Sequence, residues 1–169
     1  AIRAVPNGDE YDKDIALAIR NASDNGAKVI NTSFGKAYSP HSDKVRNAIA
    51  YAAYKYALIV NAAGNDAIDL DENKSYPNDA VDNGSEIADN FITVGALSSS
   101  IGEDLVANFS NYGKINVDIF APGAKIYSTT PENTYDFKGG TSMAAPAVAG
   151  VAALIRSYFP KLSASQVKS

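Results

Sequence analysis

Apolar and polar residues recur along the chain in two alternating periods. Between residues 11 and 25, Ile15, Ala18, Ile19 and Ala22 fall at i, i+3, i+4 and i+7, one face of a helix. Asn25–Gly26 closes that helix, and Lys28–Ser33 (KVINTS) then reads as a strand. A second helical run from about Asp43 to Tyr56 places Val45, Ile49, Ala52 and Tyr56 on one side, and Leu58–Ala63 (LIVNAA) follows as a strand ending at Gly64–Asn65. Further strand runs lie at Phe91–Ala96, at Val117–Phe120 and near Ile126–Ser128, and Ala1–Val5 reads as a short strand before the Asn7–Gly8 turn. Helices set between apolar strands predict βαβ units, and so an α/β fold with a parallel sheet. Ligands of such sheets sit beyond the carboxyl ends of the strands. Ser33–Phe34–Gly35 and Gly64–Asn65 occupy those ends and are candidate site positions.

The C-terminal third changes the pattern. From Met143 to Ile155 no residue is polar, which predicts a helix buried all round. Pro146 fits that helix if it lies in the first turn, where its missing N–H is no loss. Ser142 then stands at or next to the helix N-terminus behind Gly139–Gly140, among free backbone N–H groups that would stabilise an oxyanion. Taken alone, the plainer reading is that Thr141 or Ser142 caps the helix. The order argues against a phosphate loop, because Lys138 precedes the glycines instead of following them. Near the end, Ser163 and Gln166 have the spacing of a capping box.

Composition narrows the function classes. With 169 residues and 46% apolar side chains the chain suffices for one core, and a net charge of −4 argues against a basic nucleic-acid surface. There is no run of apolar residues long enough for a membrane helix. The absence of cysteine excludes disulfides and thiol nucleophiles, and the single histidine, His41, excludes a multi-histidine metal site. Residues 66–90 hold eight acids against Lys74, so the whole negative balance sits in one long loop. Ala1 in place of Met, and a helix starting six residues before the end, read as an internal piece of a longer protein.

Gly140–Pro146 (GTSMAAP) resembles the nucleophile motif of the subtilisin-like serine peptidases. Four more segments resemble the family in its order: Val29–Gly35 (VINTSFG), Val60–Asp66 (VNAAGND), Phe109–Gly113 (FSNYG) and Phe120–Gly123 (FAPG). The resemblance runs from residue 1 to 169. It implies a three-layer α/β fold with a mostly parallel central sheet and helices on both faces, present here as an incomplete portion. It implies a serine endopeptidase acting through an acyl-enzyme on Ser142, with Asn65 as oxyanion donor. Ser33, Phe34 and Gly35, with Ala62, Ala63 and Gly64, would wall the pocket for the residue before the cut bond. A plain turn residue is the alternative for Asn65.

The chain departs from the family in two ways. Ala147 replaces a usual histidine after Pro146, at a position without catalytic duty. The family's aspartate and histidine segments do not occur, and His41 (SPHSD) resembles neither. The expectation is therefore a partial peptidase domain over 1–169, inactive alone, whose partners are a protein or peptide substrate and the missing N-terminal part of the catalytic domain. The alternative is a degenerate domain that binds peptides or partners without cleaving. Retention of Ser142 and Asn65 favours the enzyme. The family implies a secreted or cell-envelope location and no cofactor for the chemistry. Tyr76–Pro77 resembles a pair whose peptide bond is cis in the family. Asp69-x-Asp71-x-Asn73 has the first spacing of a calcium loop, but Lys74 and Ala80 replace its glycine and bidentate glutamate. The stretch reads as a solvated acidic loop, with structural calcium left open.

Overall fold

The computed structural model describes residues 1–5, 8–81 and 85–169. Asn7 of the expected turn and Asp82 of the acidic stretch lie outside them. Among the described residues the chain runs α1 (Asp12–Asp24), β1 (Val29–Thr32), α2 (Ser42–Tyr54), β2 (Leu58–Ala62), β3 (Phe91–Leu97), β4 (Ile119–Pro122), β5 (Ile126–Thr130), β6 (Thr134–Lys138), α3 (Thr141–Tyr158) and α4 (Ala164–Lys168). Strands β1 to β4 form a parallel sheet in sequence order, and β5 and β6 form a separate antiparallel hairpin.

Strand alternation sorts the sheet's side chains between two helical layers. Leu58, Val60 and Ala62 of β2 and Val94 and Ala96 of β3 pack with Ala144, Ala145, Ala149 and Ala152 of α3 and with Ala164 of α4. Ile59 and Phe91 turn the other way, against Ile15 and Ile19 of α1 and Val45, Ile49 and Ala52 of α2. Helices thus cover both faces of a mostly parallel sheet. Asp12 ties the start of α1 to the β1–α2 connection. Its buried carboxylate accepts from Ser39 Oγ (2.7 Å) and the His41 N–H (2.9 Å) and pairs with Lys36 (2.7 Å). Burial pushes this carboxyl up, but Lys36, Ser39 and the His41 N–H outweigh it and hold it below the usual range. The capping box forms as expected, with Ser163 and Gln166 each bonded to the other's backbone.

Four expectations are corrected. Ala1–Val5 forms no strand. Ala1, Ile2 and Ala4 instead help line an open groove of about 520 Å³ beside α1 and the edge strand β1, without a ladder partner. Tyr56 does not extend the second helix, because it takes a positive φ of 62° past the C-cap Lys55 and is exposed. Helix α3 is not buried all round, since only one side of it meets the sheet; Val151, Leu154 and Tyr158 face outward. Pro146 is the sixth residue of α3 and not in its first turn. Its missing N–H would have bonded the Ser142 carbonyl four residues back, and Ser33 Oγ donates to that carbonyl instead at 3.0 Å.

Candidate active site

The carboxyl ends of β1 and β2 and the N-terminus of α3 converge on one cleft of about 380 Å³. Ser33, Phe34, Gly35, Ala62, Gly64, Asn65 and Ser142 line it, so all but one of the expected site residues come together there. The exception is Ala63, fully buried behind the wall and facing a second cavity of about 260 Å³. A two-way backbone bridge between Lys36 and Tyr76 (2.8 and 2.9 Å) closes the cleft beside Gly35. The Tyr76–Pro77 bond that follows is cis, in line with the resemblance.

Two serines clasp each other across the cleft. Ser142 Oγ donates to the Ser33 carbonyl at 3.2 Å, while Ser33 Oγ donates to the Ser142 carbonyl. Gly140, at φ 145°, is the N-cap of α3 and puts Ser142 at its second helical position. Of the first three helical N–H groups, that of Thr141 goes to Asn65 Oδ1 (2.8 Å) and that of Met143 to the Gly140 carbonyl (3.0 Å). The Ser142 N–H has no acceptor among the described residues, as expected of an orphan donor at a helix start. Thr141 Oγ1 also donates to Asn65 Oδ1 (3.1 Å) while accepting from the Gly64 N–H (3.0 Å). Both contacts hold the oxygen of the Asn65 amide, so its Nδ2 donor points away from Thr141.

Outside the cleft, His41 is exposed at the N-cap of α2 and does not line it. The acidic stretch is not loosely solvated throughout. Asp71 accepts from the N–H groups of Lys114 (2.7 Å), Ile115 (3.1 Å) and Asn116 (2.9 Å) and from Asn116 Nδ2 (3.0 Å). Desolvation raises its pKa, but the donors, Asn116 first, outweigh it and leave the carboxyl below its ordinary value. Those oxygens are engaged, so the 69–73 residues do not fit a calcium ion as a ligand set. In the second cavity, burial first and Glu86 next push the Asp79 carboxyl up to about 6 against the pull of Lys168, and its Oδ2 is buried without a hydrogen bond among the described residues. Lys168 itself binds Glu86 (2.8 Å) and Asp118 (3.3 Å), tying α4 to the acidic stretch.

A model of the subtilase family, a family of serine peptidases, matches residues 1–169. The chain belongs to the subtilase family. A thermophilic serine proteinase of Bacillus sp. (strain AK1) is 43% identical over 159 residues, 93% of this chain and 35% of that protein. Subtilisin DY of Bacillus licheniformis is 40% identical over 156 residues, 92% of this chain and 52% of that protein. The solved structure of the S41 psychrophilic protease matches with a TM-score of 0.80 at 35% identity, over 96% of this chain and 55% of that one. This subtilase chain thus spans about a third to a half of the length of these curated relatives.

Sequence reasoning left without a role two residues that hold the subtilase cleft in shape, Thr141 in its lining and the buried Asn111 behind it. Thr141 was readable only as a cap, but Gly140 takes the N-cap and Thr141, the first residue of α3, grips Asn65 instead. Asn111 sat inside a recognised segment, FSNYG, whose spacing says nothing of what its side chain holds.

Proposed function

We propose that this subtilase chain carries the nucleophile and the oxyanion site of a serine endopeptidase. Ser142 Oγ attacks the carbonyl carbon of a bound protein or peptide, and its proton passes to a base. The charge that develops on the carbonyl oxygen is met by the Ser142 N–H and by Asn65 Nδ2. The C–N bond then breaks, and the amine leaves with the proton returned by the base. Water next hydrolyses the Ser142 ester, releasing the acid and restoring the hydroxyl. Ser33, Phe34, Gly35, Ala62 and Gly64 wall the pocket for the residue before the cut bond, with Ala63 supporting that wall from behind. The observation that carries this reading is the double hydrogen bond from Thr141 to Asn65 Oδ1, which sets an amide and an unpaired helix-start N–H beside one serine.

No cofactor takes part in these steps. The base and its aspartate belong to a segment beyond these 169 residues, whose strands cover the open edge of β1 and whose bulk covers the outer side of α3. In this chain alone the Ser142 proton rests on a peptide carbonyl, which cannot take it. The chain by itself therefore has no meaningful peptidase activity. Secretion, or a place in the cell envelope, follows from the family; no described helix is long and apolar enough to cross a membrane. The test is Asn65→Ala in the full-length protein, which should lower kcat by about 10²–10³ with little change in KM, the loss typical when a subtilisin loses this donor. An unchanged kcat would overturn the oxyanion assignment.

A further inference from the structure

Asn111 is fully buried in the loop between β3 and β4. Its Nδ2 donates to the Ala63 carbonyl (2.9 Å), and its Oδ1 accepts from the N–H groups of Asp66 (2.9 Å) and Ile68 (3.3 Å). Its own N–H donates to the Gly64 carbonyl (3.0 Å). These bonds straddle Asn65, holding the backbone before it at 63 and 64 and after it at 66 and 68. Nδ2 also fills the space that a side chain at 64 would need. A Cβ there would overlap it, and Gly64 already holds a φ of 105°. Asn65 is itself exposed, and Thr141 grips only its Oδ1. Thr141 thus holds the far end of the Asn65 side chain, the turn backbone sets where that side chain starts, and Asn111 holds that backbone.

We infer that Asn111 is a positioning residue for the oxyanion site, fixing the 63–68 turn so that the Asn65 amide meets the N-terminus of α3; this rests on the assignment of Asn65 above. The task needs one donor and one two-way acceptor at opposite corners of a short side chain, which is what a primary amide provides. Aspartate keeps the shape and the acceptors, loses the donor to Ala63 and buries a charge. Serine is too short to span both sides of the turn. A displacement of about 1 Å in a group that faces the reacting centre is worth about 10²-fold in rate.

The experiment measures kcat and KM in the full-length protein, per active site titrated with a fluorophosphonate, for Asn111→Ser and Asn111→Asp, each with and without Asn65→Ala. With Asn65 intact, each substitution is expected to lower kcat by about 10²-fold and to move KM by less than about threefold. With Asn65→Ala already present, the same substitutions should lower kcat by less than about threefold further, because the donor they position is gone. The Asn65→Ala single variant separates the two readings: if it leaves kcat unchanged, the oxyanion assignment falls and this inference with it. If it lowers kcat while Asn111→Ser does not, only the inference falls. An equal loss in both backgrounds, or a loss confined to KM or to the titratable fraction, marks a purely structural residue and also overturns it. Should Asn111→Asp fail to accumulate, the neutral Asn111→Ser carries the same comparison.

Discussion

The inner side of α3 sets Ala144, Ala145, Ala149 and Ala152 against the sheet at 0–9% exposure, while its outer side leaves Val151 and Leu154 at 59% and Tyr158 at 75%. The buried stripe is made of alanines, and the exposed side carries three large apolar residues. Small residues on the inner side let the helix lie close to all four strands, which fixes the height of Ser142 above the ends of β1 and β2. Arg156 closes the inner stripe, its guanidinium donating to the carbonyls of Lys28 (3.0 Å) and Leu162 (3.3 Å). Among the described residues nothing covers most of that outer side. Hydrophobicity along α3 thus records two contacts, one made inside this chain and one that the proposed segment supplies.

Charge placed on either side of α3 tests that difference by thermal melting of the full-length protein. Ala145→Asp on the inner side should destabilise by more than about 4 kcal/mol, enough to remove a cooperative transition, because the carboxylate has neither room nor partner. Leu154→Glu should cost about 3 kcal/mol if the outer side is covered as proposed. A change within about 0.5 kcal/mol for Leu154→Glu would mean that side stays open to solvent, and the comparison would lose its second contact.

A smaller effect sharpens the same lesson about burial without a partner. Asp79 and Asp71 share the acidic stretch and titrate in opposite directions. The Asp79 pKa rises from 3.8 to about 6 in the fold, so the unfolded chain ionises first. Its contribution to stability falls as pH rises from about 4 to 6 and stays unfavourable above that. Asp71, held below its ordinary value by the 114–116 donors, stabilises above the usual carboxylate range and loses that contribution as pH falls through its lowered pKa. Asp79→Asn should therefore raise stability by about 1–2 kcal/mol at pH 8 and change it little at pH 4. Denaturant melts at the two pH values check this, and an equal effect at both would contradict it.

What the sequence made legible was local. The period of α1, the apolar start of β2, the capping box at Ser163 and the placing of Ser142 at a helix start each rest on neighbours a few residues apart. What it hid was relational. Pro146 is accommodated in the second turn of α3 by the Ser33 hydroxyl, 109 residues before Ser142, which serves the carbonyl it strands. The clamp of Asn111 joins residues 43 to 48 positions apart. Strand β6 is exposed along its whole length, so its side chains show no buried face to read. Its rings, Phe137 and Tyr135, pack on Tyr127 of β5 at 4.9 and 5.7 Å between centroids. Residue types at the site were readable from motifs; the bonds that hold them in place were not.

The central claim is that Ser142 is a nucleophile whose base lies outside this chain. Labelling with a fluorophosphonate, followed by peptide mapping, tests it most directly, since the reagent marks only a serine whose proton has somewhere to go. In the full-length protein the adduct should fall on the peptide holding Ser142 and vanish in Ser142→Ala, and the 169-residue chain alone should not label. An adduct on another residue, or full-rate labelling of the 169-residue chain that depends on Ser142, would contradict the account and return His41 to consideration as the base.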